Sequence, residues 1–343
     1  MSHIIINLSS NNNGDNWQNA ISFYNDWQNG KKQFELSTSG STGNPKPIFI
    51  SKTQMEVSAN QTINALNLTP SNNLLVCIKT KFIGGKMMLV RGIINNMPLY
   101  IVEPSSNPIK SLTQHIDFMA VVPLQMQTML NDGEHTKLNK MKAIIVGGAP
   151  INQQLKIQIE KLKVPVYATY GMTETISHIA LKKLNGSDKS NYFTSLGDIK
   201  ISKDDRNCLT VTGSVTNHAT IATNDVVELI NSNQFEWLGR YDNIINSGGI
   251  KVNPEKIEEI IEQIFLEANI QQRFFIHGIE DKLLGKKVAL IIEGEKFDTA
   301  PLQQILLQQL EKYSYPKSII FISQFIETET GKIKRIETIL NSL

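Results

Sequence analysis

Five short runs of aliphatic and β-branched residues punctuate the first half of the chain: LLVCIK (74–79), PLYIVEP (98–104), FMAVVP (118–123), KAIIVGGAP (142–150) and VPVYATYG (164–171). Each is apolar at nearly every position rather than at alternate ones, the pattern of strands buried on both faces, and helix-like segments separate them. Runs of this kind closed by Pro or Gly predict parallel strands of an α/β domain, where ligands collect beyond the carboxyl ends. Three stretches of punctuation mark where a site should gather: Gly147-Gly148-Ala149-Pro150, Tyr170-Gly171, and the Gly-rich segment after Leu36.

From about residue 196 the pattern changes. LGDIKIS, LTVTGSV, VVELI and FEWLG space their β-branched residues with polar ones and predict a small antiparallel unit that ends at Gly239-Arg240. NPEKIEEIIEQIF then reads as an amphipathic helix capped by Asn253 with Pro254 at its first position. Strands RFFIHGI and KVALIIEG, a helix LQQILLQQL, a strand SIIFIS and a last helix after Gly331 complete a small α+β domain. The predicted architecture is α/β: a large N-terminal domain over 1–239 and a small one over 240–343. The Asn11-Asn12-Asn13 tract reads as a surface loop.

Composition narrows the function. The 343 residues are 41% hydrophobic and 19% charged, enough to bury a core but long for one domain. With 34 Lys+Arg against 32 Asp+Glu, the balance offers no general attraction for nucleic acid, so any anion is bound locally. Cys77 and Cys208 are too few and too far apart for a disulfide framework or a metal cage, which points to a reducing cytoplasm. The N-terminus lacks the features of a signal peptide, and no run approaches the roughly 18 apolar residues of a membrane span.

The segment Ser37-Thr38-Ser39-Gly40-Ser41-Thr42-Gly43-Asn44-Pro45-Lys46 carries the clearest chemistry. Gly40 and Gly43 permit a tight loop whose N–H groups converge on an anion, the hydroxyls of Thr38, Ser39, Ser41 and Thr42 add donors, and Lys46 adds a point charge. The spacing is not that of a Walker loop, and a strand, PIFIS, follows where that motif has a helix. The plain alternative is a Ser/Gly linker, which does not usually place Lys after Pro and enter a strand.

STSGSTGNPKP resembles the phosphate loop of the adenylate-forming superfamily of acyl-CoA synthetases, luciferases and nonribosomal-peptide adenylation domains. Further motifs of that family recur in order: GGAP (147–150), YGMTET (170–175), TNDVVEL (223–229), GRYDNIINSGGIKVNPEKIEE (239–259) and ETGKIKR (329–335). The resemblance implies a ligase that uses ATP, Mg²⁺ and CoA to activate a small-molecule acid. It implies that Thr38, Ser39, Gly40, Ser41, Thr42, Gly43 and Lys46 hold the phosphates, with Thr173 assisting, and that Glu174 carries Mg²⁺. Gly147, Gly148 and Ala149 would wall the adenine slot, Tyr170 would stack on the base with Gly171 also at the nucleotide, and Asp225 with Arg240 would bind the ribose. Lys332 would bridge the acid and ATP, the small mobile domain would swing about Asp242, and Ser247, Gly248 and Gly249 would pass the pantetheine arm. Taken alone, Glu174 reads as a solvated loop carboxylate, and Lys332, Lys334 and Arg335 as a basic surface.

Three departures stand out, one of them that the family's aromatic-His segment near the acyl pocket is replaced by Lys79-Thr80-Lys81-Phe82-Ile83-Gly84-Gly85-Lys86-Met87-Met88-Leu89-Val90-Arg91. Family members carry a longer segment before the phosphate loop, so a minimal domain or a neighbouring subunit of a homo-oligomer is expected to cover the gap. The family's Thr-Gly-Asp is Thr223-Asn224-Asp225 here. Within the family, TYGMTETISHIAL is similar to the segment of o-succinylbenzoate:CoA ligases of menaquinone biosynthesis. That acid has a second carboxylate, for which Lys86, Arg91, Gln125, Ser177 and His178 are candidate partners, Lys86 first because it follows Gly84-Gly85. Another aromatic or medium-chain acid, a stand-alone domain loading a carrier protein, and a truncated nucleotide-binding protein without catalysis are the alternatives.

Overall fold

A computed structural model describes residues 5–8, 14–37, 47–328 and 333–342. The five predicted apolar runs form parallel strands, and a sixth from the N-terminal segment joins them. In spatial order they are Ile5–Asn7, Leu99–Ile101, Leu74–Val76, Phe118–Val121, Ala143–Val146 and Val166–Gly171. Helices cover this half of the sheet, and the four middle strands in that order, Leu74–Val76 through Ala143–Val146 with Leu99–Ile101, are almost wholly buried, which explains their lack of alternation.

The predicted antiparallel segments are not a separate unit. They continue the same sheet as Gln234–Arg240, Ile221–Leu229, Cys208–Thr212 and Lys200–Lys203, joined to the parallel half through two strands the pattern did not predict, His178–Lys183 and Phe193–Ser195, making twelve strands among the described residues. The direction changes between Val166–Gly171 and His178–Lys183, beside the predicted site. A second, five-stranded sheet follows Arg240 and holds Ile245–Ser247, Ile250–Val252, Phe274–Asp281, Gly285–Glu293 and Ser318–Ile322. Its buried side chains form clusters distinct from that of the large sheet. The helix Pro254–Glu267 joins the two regions, packing on Gln234–Arg240 and on the helix Gln153–Glu160. As predicted, Asn253 caps it through a bond accepted from the Glu255 N–H, with Pro254 in the first turn.

Two local arrangements position the site. The strands Gln33–Ser37 and Pro47–Ser51, which flank residues 38–46 in the sequence, pair antiparallel, and their buried Phe34, Leu36 and Ile50 anchor the pair. Phe34 closes an aromatic trio with Phe23 and Trp27 of the helix Asp15–Gln28, ring centroids 4.9 and 5.7 Å away. That helix has no side-chain cap of its own. Instead Glu103, in the loop after Leu99–Ile101, accepts from the Asn16 N–H at 3.1 Å and the Trp17 N–H at 3.3 Å. A carboxylate at a helix N-terminus satisfies orphan donors and meets the positive end of the dipole.

Glu103→Ala should therefore lower the unfolding free energy by about 1–2 kcal/mol, the usual worth of such a cap. Chemical denaturation of both proteins checks this, and an unchanged midpoint would remove the cap from the account.

Candidate active site

The site is built at the carboxyl ends of the parallel strands. After Val146 the chain turns through Gly147, where an added Cβ would lie 2.0 Å from the Thr169 hydroxyl, and the exposed Gly148, whose φ is +88°. Ala149 follows, half-buried. At the next strand end Gly171 makes an equally close approach, this time to backbone: a Cβ there would fall 2.0 Å from the Ser177 carbonyl oxygen. That contact folds residues 172–177 into a tight return carrying a single turn of 3-10 helix, Thr173–Thr175, with Glu174 exposed upon it. The turn closes through Ile176 at φ +71°, a costly conformation for a β-branched residue. Its side chain is 1% exposed, so apolar burial holds the strained backbone in place.

Beneath this turn lies a buried polar relay. His178, which pairs with Gly171 across the strands, places Nε2 2.9 Å from the Thr62 hydroxyl, and that hydroxyl accepts from Arg91 Nη2 at 3.2 Å. Arg91 is 1% exposed, its Nε has no hydrogen-bond partner, and among the described residues no carboxylate pairs with it. Burial pulls its guanidinium down to about 9, leaving it charged at neutral pH. Burial, and then the Arg91 charge, push His178 well below the usual histidine range. The imidazole is neutral.

A second cluster surrounds Asp225, itself 7% exposed. One carboxylate oxygen accepts from the Tyr170 hydroxyl at 2.7 Å and the other from the Trp237 indole N–H at 3.0 Å, with Arg240 3.9 Å away. Burial, then the Asp225 charge, raise the Tyr170 hydroxyl far above its ordinary value, so it remains a donor. Tyr170 packs edge-on to Phe235 with centroids 5.1 Å apart. Arg240 donates to Asp242 at 2.6 Å, and Asn224 reaches the same carboxylate at 3.3 Å, tying the end of the large sheet to the predicted hinge. Asn224 also accepts from Arg206 at 2.8 Å, so the residue that departs from the family pattern is occupied on both sides.

The structure thus places Gly147, Gly148, Ala149, Tyr170, Gly171, Asp225 and Arg240 on or directly after interior strands of one sheet, with Thr173 and Glu174 on the turn that follows Gly171. Thr38, Ser39, Gly40, Ser41, Thr42, Gly43, Lys46 and Lys332 lie outside the described residues. Ser247, Gly248 and Gly249 form the hairpin turn of the second sheet; φ is +59° at Gly248 and +84° at Gly249, and the Gly248 N–H donates to Leu284 at 2.9 Å. Gln125 is committed elsewhere. Its amide donates to the carbonyls of Cys77 and Ser105 at 3.1 and 3.0 Å and accepts from the Val122 N–H, which leaves no donor for a ligand. Lys86 is half-buried; desolvation, then the nearby Lys31, lower its pKa while Glu35 opposes them. Ser177 acts through its backbone, which accepts from the Thr175 hydroxyl at 2.9 Å. Sequence reasoning missed Thr62 and Trp237, because nothing in their local pattern distinguishes them from ordinary helix and strand residues.

A buried carboxylate held by two donors, two glycines at close approaches and an exposed acidic turn thus lie by the carboxyl ends of parallel strands, where α/β sheets gather their ligands. Residues 36–205 match the AMP-binding enzyme family, and a solved acyl-CoA synthetase (AMP-forming)/AMP-acid ligase II-like protein from Dyadobacter fermentans is 39% identical over 96% of this chain and 95% of that one, at a TM-score of 0.64. The chain belongs to the AMP-binding enzyme family. It is also similar to the 2-succinylbenzoate–CoA ligase of Listeria monocytogenes, 26% identical over 90% of this chain and 70% of the relative. The o-succinylbenzoate coenzyme A synthetase of Bacillus subtilis, solved with ATP and magnesium, shares the fold at a TM-score of 0.74 and 21% identity, over 89% of this chain and 69% of that one. Among the described residues no helix is long and apolar enough to cross a membrane.

The neutral His178 makes stability depend on pH. An unfolded histidine takes up a proton near pH 6.5 while the buried one stays neutral, so the unfolded state binds more protons below that pH and stability falls on acidification. His178→Gln should reduce the loss of unfolding free energy between pH 7.5 and 5.5 by about 1 kcal/mol. Part of the slope will remain, because burial also lowers His277, to about 4. Denaturant titrations at the two pH values measure it, and equal losses in both proteins would contradict a neutral buried His178.

Proposed function

We propose that the chain is an ATP-dependent acid:CoA ligase that converts o-succinylbenzoate to its CoA thioester through an acyl-adenylate, in menaquinone biosynthesis. The observation that carries the choice of acid is Arg91, a buried cation without a carboxylate partner among the described residues, two hydrogen bonds from His178 under the acidic turn. An acid with a second, unreactive carboxylate must desolvate it, at a cost of several kcal/mol unless a cation or donor meets it. The names of the similar ligases support the same acid.

In the first half-reaction an oxygen of the reacting carboxylate attacks the α-phosphorus of ATP and pyrophosphate leaves; in the second, the CoA thiolate attacks the acyl carbonyl and AMP leaves. Two anions must be brought together and the charge growing on pyrophosphate spread. Thr38, Ser39, Gly40, Ser41, Thr42, Gly43 and Lys46 serve the β- and γ-phosphates, with Thr173 beside them. Glu174 is a single exposed carboxylate, which suits magnesium, an ion that takes one or two carboxylates and completes its shell with phosphate oxygens and water. Bound there, the ion would neutralise phosphate charge. Gly147, Gly148, Ala149, Tyr170 and Gly171 shape the adenine slot, and Asp225 with Arg240 reads the ribose. Lys332 bridges the two anions during adenylation. Residues 240–343 then move as a unit about Asp242 and bring Ser247, Gly248 and Gly249 to the site for thioester formation. The two buried thiols suit the cytoplasm, where we place the enzyme.

A panel of acids in a pyrophosphate-release assay, with and without CoA, tests the reading. We expect o-succinylbenzoate to be turned over best and CoA to be consumed with it; faster turnover of benzoate or a fatty acid would overturn the choice of substrate. Lys332→Ala should lose adenylation by orders of magnitude yet still convert a supplied acyl-adenylate and CoA to thioester. Equal loss in both half-reactions would remove the lysine from its role. Arg91→Met should raise KM for o-succinylbenzoate about tenfold with little change in KM for ATP, as for a lost charge-assisted bond. Lys86→Ala removes the half-buried cation that the sequence puts first, and should raise KM for o-succinylbenzoate less than Arg91→Met does.

A further inference from the structure

We infer that Trp237 is a positioning residue for nucleotide recognition: its indole N–H, together with the Tyr170 hydroxyl, fixes the Asp225 carboxylate so that each oxygen keeps an acceptor site for one hydroxyl of a ribose. The inference rests on the reading of Asp225 as the ribose-binding carboxylate and extends it to a residue outside the family's motifs.

The argument begins with strand register. In the pair formed by Ile221–Leu229 and Gln234–Arg240, Asp225 lies opposite Arg240 and Val226 opposite Gly239, but Val227 lies opposite Trp237, so the ladder skips Leu238. Side chains alternate along a strand, and Asp225 and Val227, both buried, share a face. Without the skipped residue, Leu238 would stand opposite Val227 on that face. The bulge exchanges it for Trp237, whose side chain then reaches back to Asp225, a re-aiming that bulges beside active sites commonly perform. Gly239, with φ at +139°, allows the backbone to do so.

Geometry then limits what the indole can do. A carboxylate has about four acceptor sites, two on each oxygen. Tyr170 takes one site on one oxygen and Trp237 one on the other, both as neutral donors. Arg240 stands beyond hydrogen-bond distance at 3.9 Å and donates to Asp242 instead. One site therefore remains on each oxygen, and two adjacent hydroxyls on a five-membered ring match that pair. The backbone N–H of Asp225 is bonded to the Thr223 hydroxyl at 3.0 Å, so the main chain is held too. Remove the indole N–H, and Tyr170 alone orients the carboxylate plane.

Calorimetric titration of wild type and Trp237→Phe with ATP, 2′-deoxy-ATP and 3′-deoxy-ATP tests this without requiring turnover. Wild type should prefer ATP to both analogues. Trp237→Phe should weaken ATP binding about five- to tenfold, weaken the analogues less, and so narrow the preference. In steady state its KM for the acid and for CoA should stay within about twofold, since only an interaction with ATP is removed. In an Asp225→Ala background the same substitution should have no further effect, which a purely structural role would not produce. Failure of wild type to bind ATP overturns the ribose reading and this inference with it. If wild type binds ATP and Trp237→Phe keeps its full preference for ATP, the inference alone fails. Should Trp237→Phe not fold, the emission of a chain that keeps Trp237 as its one tryptophan, through Trp17→Phe and Trp27→Phe, takes its place: it should shift on saturation with ATP and lose that shift in Asp225→Ala while nucleotide is still bound at raised concentration. A shift that persists there overturns the inference.

Discussion

The sheet changes from parallel to antiparallel where Gly171 meets the carbonyl of Ser177 at a distance no side chain could share. Most of the site hangs on that approach. It forces the chain to reverse within six residues, leaves Thr173 and Glu174 at the crest of the turn, and sends His178 back into the core beside Thr62. It also sets the height of Tyr170, one residue earlier, against Asp225 on a strand 55 residues further along the chain. The unfavourable backbone of Ile176 follows from the same reversal. Local strain is kept where surrounding packing over-determines it, and here a fully buried isoleucine supplies the packing.

Two buried charges flank that turn, and they are handled in opposite ways. Asp225 is surrounded by donors: a hydroxyl, an indole and a distant guanidinium. Arg91 has one hydroxyl and a thioether sulfur, with its Nε unpartnered. The first is a carboxylate already oriented, the second a cation with no carboxylate beside it among the described residues. In a chain whose total charge is close to zero, this unevenness within a small volume matters more than the total.

The parallel strands were legible because burial on both faces leaves a continuous apolar signature, and the ends of those strands were legible because Gly147 and Gly171 admit no substitute there. The helix after Asn253 was legible for the same kind of local reason, a cap and a proline. What escaped the sequence depends on partners far away along the chain. Glu103 caps a helix 87 residues earlier, and Thr62 joins residues on three separate elements. Trp237 escaped because alternation predicts a face only while the ladder keeps its count, and the skip at Leu238 reverses the prediction. Gln125 looked available as a donor until its carbonyl partners were in view.

The two cysteines acquire a use that their burial confers. Cys77 and Cys208 are both inaccessible, and burial pushes the Cys77 thiol up to about 12, so at neutral pH neither presents the thiolate that alkylating reagents require. The natural chain is therefore its own unreactive background for site-directed labelling. One cysteine introduced on the exposed side of the large sheet and another on the helix Ala300–Gln309 would be the only groups to take up a dye or spin label. The separation between the two sheets could then be followed through a catalytic cycle without altering any native residue of the core.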